Sequence, residues 1–350
     1  MLIISDVHLG NHKQNGGAVM GGVNARFMQT LQVLKRVLDD HPREAVVIAG
    51  DLFDKSSPPP AQVGQVAALL RGRSTPTYIM MGNHDHNSSL EYDFAFSPLC
   101  ANPLVELVTE ATYINVENLR VLLCPYPAHL PDQEINRADA AIAHAGISDG
   151  KTPAYLLSEK TLDIHKLNNW QTKQAVPFVF SGDWHTRVCW IDGKHVTEAT
   201  VSSRVTGNRT IQIGALAPTG FDNQGFGYGS VWLFKKDAQG LKATLKVVPG
   251  PRFLRTESRG VADEFIAQCE LSGCEPFVKF DGEYGEAAPC SNFIQNRAKV
   301  TSSKVTEAAV QLRSDHLIDK VVYEQVTAKV PAELQKEVME RVLGYLKGTV

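Results

Sequence analysis

The chain has 350 residues, 43% of them apolar, and 35 Lys and Arg stand against 38 Asp and Glu for a formal charge of -3 at pH 7. That length is too great for one small core, and the balanced charge excludes a disordered, histone-like or polybasic membrane-binding protein. Any nucleic-acid contact would need a local patch. The opening Leu2-Ile3-Ile4 meets a charge at Asp6, and no apolar run reaches the ~18 residues of a membrane span, so a soluble cytoplasmic protein with no membrane partner is expected. Six cysteines, at 100, 124, 189, 269, 274 and 290, are scattered without paired zinc spacing, the usage of a reducing compartment. Cys269, Cys274 and Cys290 read as ordinary thiols rather than a metal knuckle.

Strand-like and helix-like stretches alternate through the first half. Leu2 to Ser5 predicts a buried strand that ends in the polar loop SDVHLGNHKQNGG. Phe27, Leu31, Leu34 and Leu38 recur at helical spacing and give one apolar face. Ala45 to Ala49 predicts a second strand, stopping at GDLFD, and KSSPPP follows it. Pro59 and Pro60 suit a helix start, and Val63, Val66 and Leu70 carry its stripe. Thr77 to Met81 is a third strand, ending at GNHD.

Further strands are predicted at Leu104 to Val108, Leu119 to Cys124, Ala140 to Ala143, Phe178 to Phe180, Val188 to Ile191, Thr210 to Ile213, Ser230 to Phe234 and Leu241 to Val248. The later ones lack intervening helices, so a parallel core passing into antiparallel hairpins is expected, an α/β layered architecture with mixed sheets. Pro249, Gly250 and Pro251 continue neither helix nor strand, which suggests one domain over residues 1–250 and a second over 251–350. In the latter, EPFVKFDGEYG reads as a strand into a turn. A closing helix from about Pro331 aligns Leu334, Val338, Val342 and Leu346, pairs Glu337 with Arg341, and has Gly348 past its end.

Chemistry concentrates at the carboxyl ends of five strands, where open α/β sheets place their ligands. These are SDVH (Asp6, His8), GDLFD (Asp51, Asp54), GNHD (Asn83, His84, Asp85), AHAG (His144) and SGDWH (Asp183, His185). Carboxylates, imidazoles and an amide oxygen form a mixed N/O donor set that suits hard or borderline divalent ions. Phosphate ester cleavage uses such a set: two ions about 3.5–4 Å apart bind the phosphoryl oxygens and activate a water for in-line attack. One carboxylate must touch both ions, and Asp51, central in chain order, is the candidate bridge. Asp6, His8 and His185 would complete one metal, and Asn83, His144 and Asp183 the other. His84 would face substrate, to stabilise developing charge or protonate the leaving oxygen, with Asp85 orienting its ring.

The five blocks resemble the signature of the calcineurin-like metallophosphoesterases. Within that superfamily the chain is similar to SbcD-type nuclease subunits of DNA repair, on Arg26 and Phe27 opening the first helix, GDLFD followed by KSSPPP, CPYP at 124 to 127, and GALAPTGFDNQGFGYGSVWLF at 214 to 234. The resemblance implies an α/β/β/α sandwich with a small α/β C-terminal cap. It also implies manganese-dependent exonuclease action on double-stranded DNA ends and endonuclease action on single strands, a homodimer, and a C-terminal segment that docks on an SbcC-type ABC ATPase.

One position departs from the family pattern. Its last block reads Gly-His-x-His, whereas here Asp183 stands in place of the first His. Asp6, Asp51 and Asp183 then set three negative charges against two divalent ions, which favours manganese or magnesium over zinc. An Asp183 that points away, leaving the second metal weakly held, is the alternative. Arg204 and Arg209 in a polar stretch, and Arg252 and Arg255 in the linker, are candidate phosphate contacts. His86 and His129 read as loop residues. Trp184 could stack on a base but reads first as an indole packed beneath its own loop. Two rival functions use the same residues: a small-molecule or cyclic-nucleotide phosphodiesterase, and a non-catalytic DNA-end scaffold.

Overall fold

The computed structural model describes residues 1–13, 16–86, 97–132, 137–150, 161–203, 206–221, 228–282, 284 and 288–295. Two mixed sheets dominate. The first runs in the order Gly240–Val248, Gly229–Asp237, Leu2–Ile4, Val46–Ile48, Thr77–Met80, Val105–Val108. Its last four strands are parallel, and the hairpin of the other two joins antiparallel at Leu2–Ile4. The second runs Lys194–Val196, Val188–Ile191, Arg209–Gln212, Phe178–Gly182, Ala140–His144, Leu119–Cys124, Thr112–Val116, parallel in the middle and antiparallel at both edges.

Side chains alternate across a strand, so an unbroken apolar run means that both faces are covered. Ile3, Val47 and Met80 of the first sheet meet Val121, Ile142, Phe180 and Ile211 of the second in a buried core between the sheets. Leu2, Ile4, Val46 and Ile48 face the other way, onto Phe27, Leu31, Leu34 and Leu38 of the helix Ala25–Asp40 and Val63, Val66 and Leu70 of the helix Pro60–Arg71. The outer face of the second sheet, Ala141, Ala143 and Val179, packs on Ile164 and Leu167 of the helix Ile164–Gln174. The result is the expected α/β/β/α layering. Asn24 starts the first helix by accepting a hydrogen bond from the Phe27 N–H at 3.0 Å, and Pro60 stands at the start of the second, where its missing N–H costs nothing.

The chain continues in regular structure past residue 250. Pro251 opens a strand, Pro251–Thr256, a place a proline tolerates because the first residue of a strand need not donate to the ladder. That strand forms a three-stranded sheet with Glu275–Phe280 and Phe293–Gln295, and the helix Arg259–Leu271 lies between the first two in sequence. The chain divides into two compact units, Met1–Lys279 with Ala288–Ile294, and Phe280–Ala287 with Gln295–Val350. Within the first unit the 251–279 segment is held to the first helix by Arg26, whose guanidinium lies against the stacked rings of Phe253 and Phe277, 5.0 and 4.8 Å from their centroids. The closing helix expected from Pro331 lies outside the described residues. Among the described residues, no helix is long and apolar enough to cross a membrane.

Candidate metal centre

Each of the five blocks leaves the end of a parallel strand, and the chain must turn sharply there to aim short side chains inward. Asp6, His8, Asp51 and Asp183 all adopt left-handed backbone conformations, with φ of 51°, 48°, 53° and 87°. Such strain in residues with a Cβ persists only where the surroundings enforce it, and it clusters at functional sites. The enforcing contacts are visible: His8 N–H donates to the Asp51 carbonyl at 3.0 Å, and Asp183 N–H donates to Asp6 Oδ1 at 3.1 Å.

The glycines of the blocks have a steric purpose. A Cβ at Gly82 would lie 2.1 Å from Asp51 Oδ1 and 2.4 Å from the Asp51 nitrogen, and one at Gly50 would lie 2.1 Å from His144 Nδ1. At Gly182 it would meet Ser5 Oγ at 2.2 Å, and at Gly146 the Trp184 indole at 2.3 Å. Gly82→Ala should therefore push Asp51 aside and weaken metal binding by ~10-fold or more, the range in which lost support for a ligand falls. Manganese titration of that variant showing parental affinity would contradict the assignment.

Around this cradle the side chains converge. His8 Nε2 is 2.9 Å from His185 Nε2, 4.0 Å from Asp6 Oδ1 and 3.6 Å from Asp51 Oδ2. On the other side of Asp51, His144 Nε2 lies 3.5 Å from Asp51 Oδ1 and 3.9 Å from Asp183 Oδ1. Asp51 thus stands between two ligand clusters, one of Asp6, His8 and His185 and the other of Asn83, His144 and Asp183. Asp183 turns into the site rather than away from it.

The donor set fits a cation. His144 donates its Nδ1–H to the Ala49 carbonyl at 2.7 Å, which leaves Nε2 as the atom facing the cluster. Asn83 Oδ1 lies 2.8 Å from that Nε2, and it also faces oxygens of Asp51 and Asp183 at 3.2 and 3.0 Å. Lone pairs facing lone pairs are tolerable only around a positive charge. Without one, the amide gains by turning its NH2 toward all three acceptors.

The carboxylates also draw positive charge into the site: burial favours neutral His144, yet Asp51, with help from Asp6 and Asp183, raises its pKa to about 10, and a bound cation would displace that proton. Burial raises Asp6 and Asp183 above the usual carboxylate range, while Asp51, despite its own burial, is held low by His144 and His8. His8, buried and crowded by neighbouring imidazoles, is lowered to about 3, so at neutral pH it is unprotonated, the form that can bind a cation.

His84 is the exposed member of the group, its ring 4.7 Å from that of His8. Its expected orienting partner is corrected. His84 Nδ1 donates to the Asp54 carbonyl at 2.9 Å, whereas the buried Asp85 accepts from the backbone N–H groups of Asp51 and Gly82 at 3.0 and 2.9 Å. Asp85 therefore clamps two ligand loops together. Burial, with the Asp51 charge, pushes its carboxyl up to about 7.

The expected phosphate contacts fare less well. Arg209 is buried in its strand, with its guanidinium 4.6 Å over the Phe178 ring, so it is a packing residue. Arg252 lies half-buried over the rings of Tyr228 and Phe265. Arg255 is exposed, and Arg204 lies outside the described residues.

Comparison with known proteins adds the family. A model described as calcineurin-like phosphoesterase matches residues 1–187. No curated protein matches the chain. Among solved structures, a metallophosphoesterase from Sphaerobacter thermophilus is similar at 17% identity over 78% of this chain and 94% of its own, with a TM-score of 0.35. The Pseudomonas putida nuclease MPE is 17% identical over 66% of this chain and 82% of its own, TM-score 0.28. The purple acid phosphatase PPD1 of yellow lupin (Lupinus luteus) is 14% identical over 60% and 43%, TM-score 0.37. At these scores the structural likenesses decide nothing about substrate. The family match spans more than half of the sequence and all five ligand-bearing blocks, and on it the chain belongs to the calcineurin-like phosphoesterases, metal-dependent phosphoester hydrolases with a site for two divalent ions.

Proposed function

We propose that this phosphoesterase is a DNA nuclease that cuts phosphodiesters with two manganese ions, magnesium being the second choice. In this reading Asp6, His8 and His185 hold one ion and Asn83, His144 and Asp183 the other, with Asp51 shared. The observation that carries it is the position of Asp51 within 3.6 Å of His8 Nε2 and 3.5 Å of His144 Nε2. Bound there, the ions supply charge neutralisation of the phosphoryl oxygens and an activated water. The chain's own residues do the rest. His84, fixed through Nδ1 on the Asp54 carbonyl, presents its other nitrogen to the substrate side and protonates the departing oxygen. The inward Asp183 supports retention of both sites and weighs against a non-catalytic scaffold.

The choice of DNA rests on the likeness of Arg26-Phe27, GDLFD followed by KSSPPP, CPYP and the 214–234 segment to SbcD-type nuclease subunits. On the same likeness we propose exonuclease action on duplex ends, endonuclease action on single strands, a homodimer, and docking on an SbcC-type ATPase through the C-terminal segment.

Metal-titrated digestion of end-labelled duplex and single-stranded DNA tests the reading. The parent should shorten the duplex in manganese, and His84→Ser should lower the rate by ~10²–10⁴-fold, the contribution of a general acid, with metal uptake retained. A parent that hydrolyses a cyclic nucleotide but no DNA under either metal would overturn the nuclease assignment.

A further inference from the structure

Three rings border the ligands that belong to the Asn83, His144 and Asp183 side. Tyr126, half-buried, meets the His144 ring edge-on at 6.4 Å between centroids. His86, also half-buried, meets Tyr126 edge-on at 5.9 Å. Trp184, between Asp183 and His185 in sequence, lays its pyrrole edge on Gly146, so closely that a Cβ there would be 2.3 Å from both Cε2 and Nε1. Gly146 is two residues beyond His144, and Tyr126 packs on His144 itself, so both rings adjoin the same end of one strand.

Core packing does not account for them. Among the described residues, the buried apolar clusters that fill the space between and outside the two sheets include neither Trp184 nor Tyr126 nor His86, and all three keep part of their surface in solvent. A partly exposed indole held against a glycine, beside the candidate metal centre, has the properties of a platform: flat, rigid and low in conformational entropy to lose. Stacking on such a ring is insensitive to base identity, because every base has a π-face.

We infer that Trp184 and Tyr126, with His86 behind, form an aromatic rim that takes the nucleobase next to the scissile phosphate. The inference rests on the nuclease reading and deepens it: the substrate is bound by phosphate and base together, and the base must leave its duplex stack to reach the rim. Sugar phosphates without a base lose that contact.

The test compares thymidine 5′-monophosphate, 2-deoxyribose 5-phosphate and inorganic phosphate in magnesium, by tryptophan emission and by competition against bis(p-nitrophenyl) phosphate. The nucleotide should quench emission and compete ~10-fold better than the base-free phosphate, the value of one stacked base. Trp184→Leu should abolish that quench and most of the preference, Tyr126→Leu should reduce the preference, and Trp184→Phe should restore it as a check on folding. Equal competition by the two organic phosphates in the parent, or a preference unchanged in Trp184→Leu, would overturn the rim. DNA cleavage measured alongside separates the two claims. A parent that cuts DNA without preferring the nucleotide overturns the rim alone. A parent that prefers the nucleotide but cuts no DNA overturns the nuclease reading and leaves the rim standing.

Discussion

Asp51→Asn will lower phosphodiester hydrolysis by more than about a thousandfold, because one shared ligand is worth several kcal/mol of charge stabilisation and each ~1.4 kcal/mol is a factor of ten in rate. The substitution is close to isosteric. An Asn at this position keeps an oxygen to accept the His84 N–H, which Asp51 Oδ1 receives at 2.9 Å. What it removes is half of the bridge and the negative charge that balances His144. Fold should survive, since the Asp51 backbone stays tied to His8 and, through its N–H, to Asp85. Steady-state rates and far-UV circular dichroism, read together, decide: a folded variant with more than about a tenth of parental activity contradicts a bridging role.

The second large effect concerns stability. Arg26 is 1% exposed, lies against the stacked rings of Phe253 and Phe277, and donates to the Thr219 carbonyl at 3.0 Å. Burial lowers its pKa to about 10, with Glu275 opposing, so it carries its charge at neutral pH. Arg26→Ala leaves a cavity beside the stacked rings and removes the hydrogen bond to the Thr219 carbonyl, and it should cost ~3–5 kcal/mol. Arg26→Lys keeps the charge but lacks the planar face that stacks, and should recover only part of this. Urea unfolding midpoints measure both. A cost under about 1 kcal/mol for the alanine variant would mean that Arg26 does not tie the 251–279 segment to the sandwich.

Arg26 also reaches toward chemistry. The segment that holds Thr219 begins at Ala215, whose N–H donates to the His185 carbonyl, and Leu216 N–H donates to the Ser5 carbonyl. A brace on Thr219 therefore supports the loops that carry His185 and Asp6, and Arg26→Lys should weaken metal affinity as well as stability.

The candidate ligands are legible in the sequence because each polar block cuts an apolar run at a strand end, and five such ends in order place carboxylates and imidazoles where they can share a cation. Asp6, His8, Asp51, Asn83, His144, Asp183 and His185 all converge. What the blocks do not convey is which partner each side chain takes. Asp85 follows His84 directly, so adjacency suggests that it orients that ring, but the strand-end geometry turns it to the backbone N–H of Asp51, 34 residues away. Asp54 reaches His84 through its carbonyl, and a main-chain acceptor leaves no mark in composition.

Arg209 misleads for a related reason. It sits in the polar run GNRT, yet its strand lies inside the second sheet and its guanidinium finds the Phe178 face. The helix Ile164–Gln174 escapes pattern reading because IHKLNNWQTKQ presents too narrow an apolar stripe, only Ile164 and Leu167 of its apolar residues being buried. The helix Arg259–Leu271 buries Ala262, Ile266 and Cys269 at helical spacing after an N-cap at Ser258. That signal is readable, and the Pro249-Gly250-Pro251 break overshadows it.

Calorimetric titration of manganese into chelator-stripped protein addresses the centre most directly. The geometry requires two equivalents taken up by each parental chain and at most one by the Asp51→Asn variant. Uptake of none by the parent, or of two by both proteins, would show that this aspartate does not join a pair of cations.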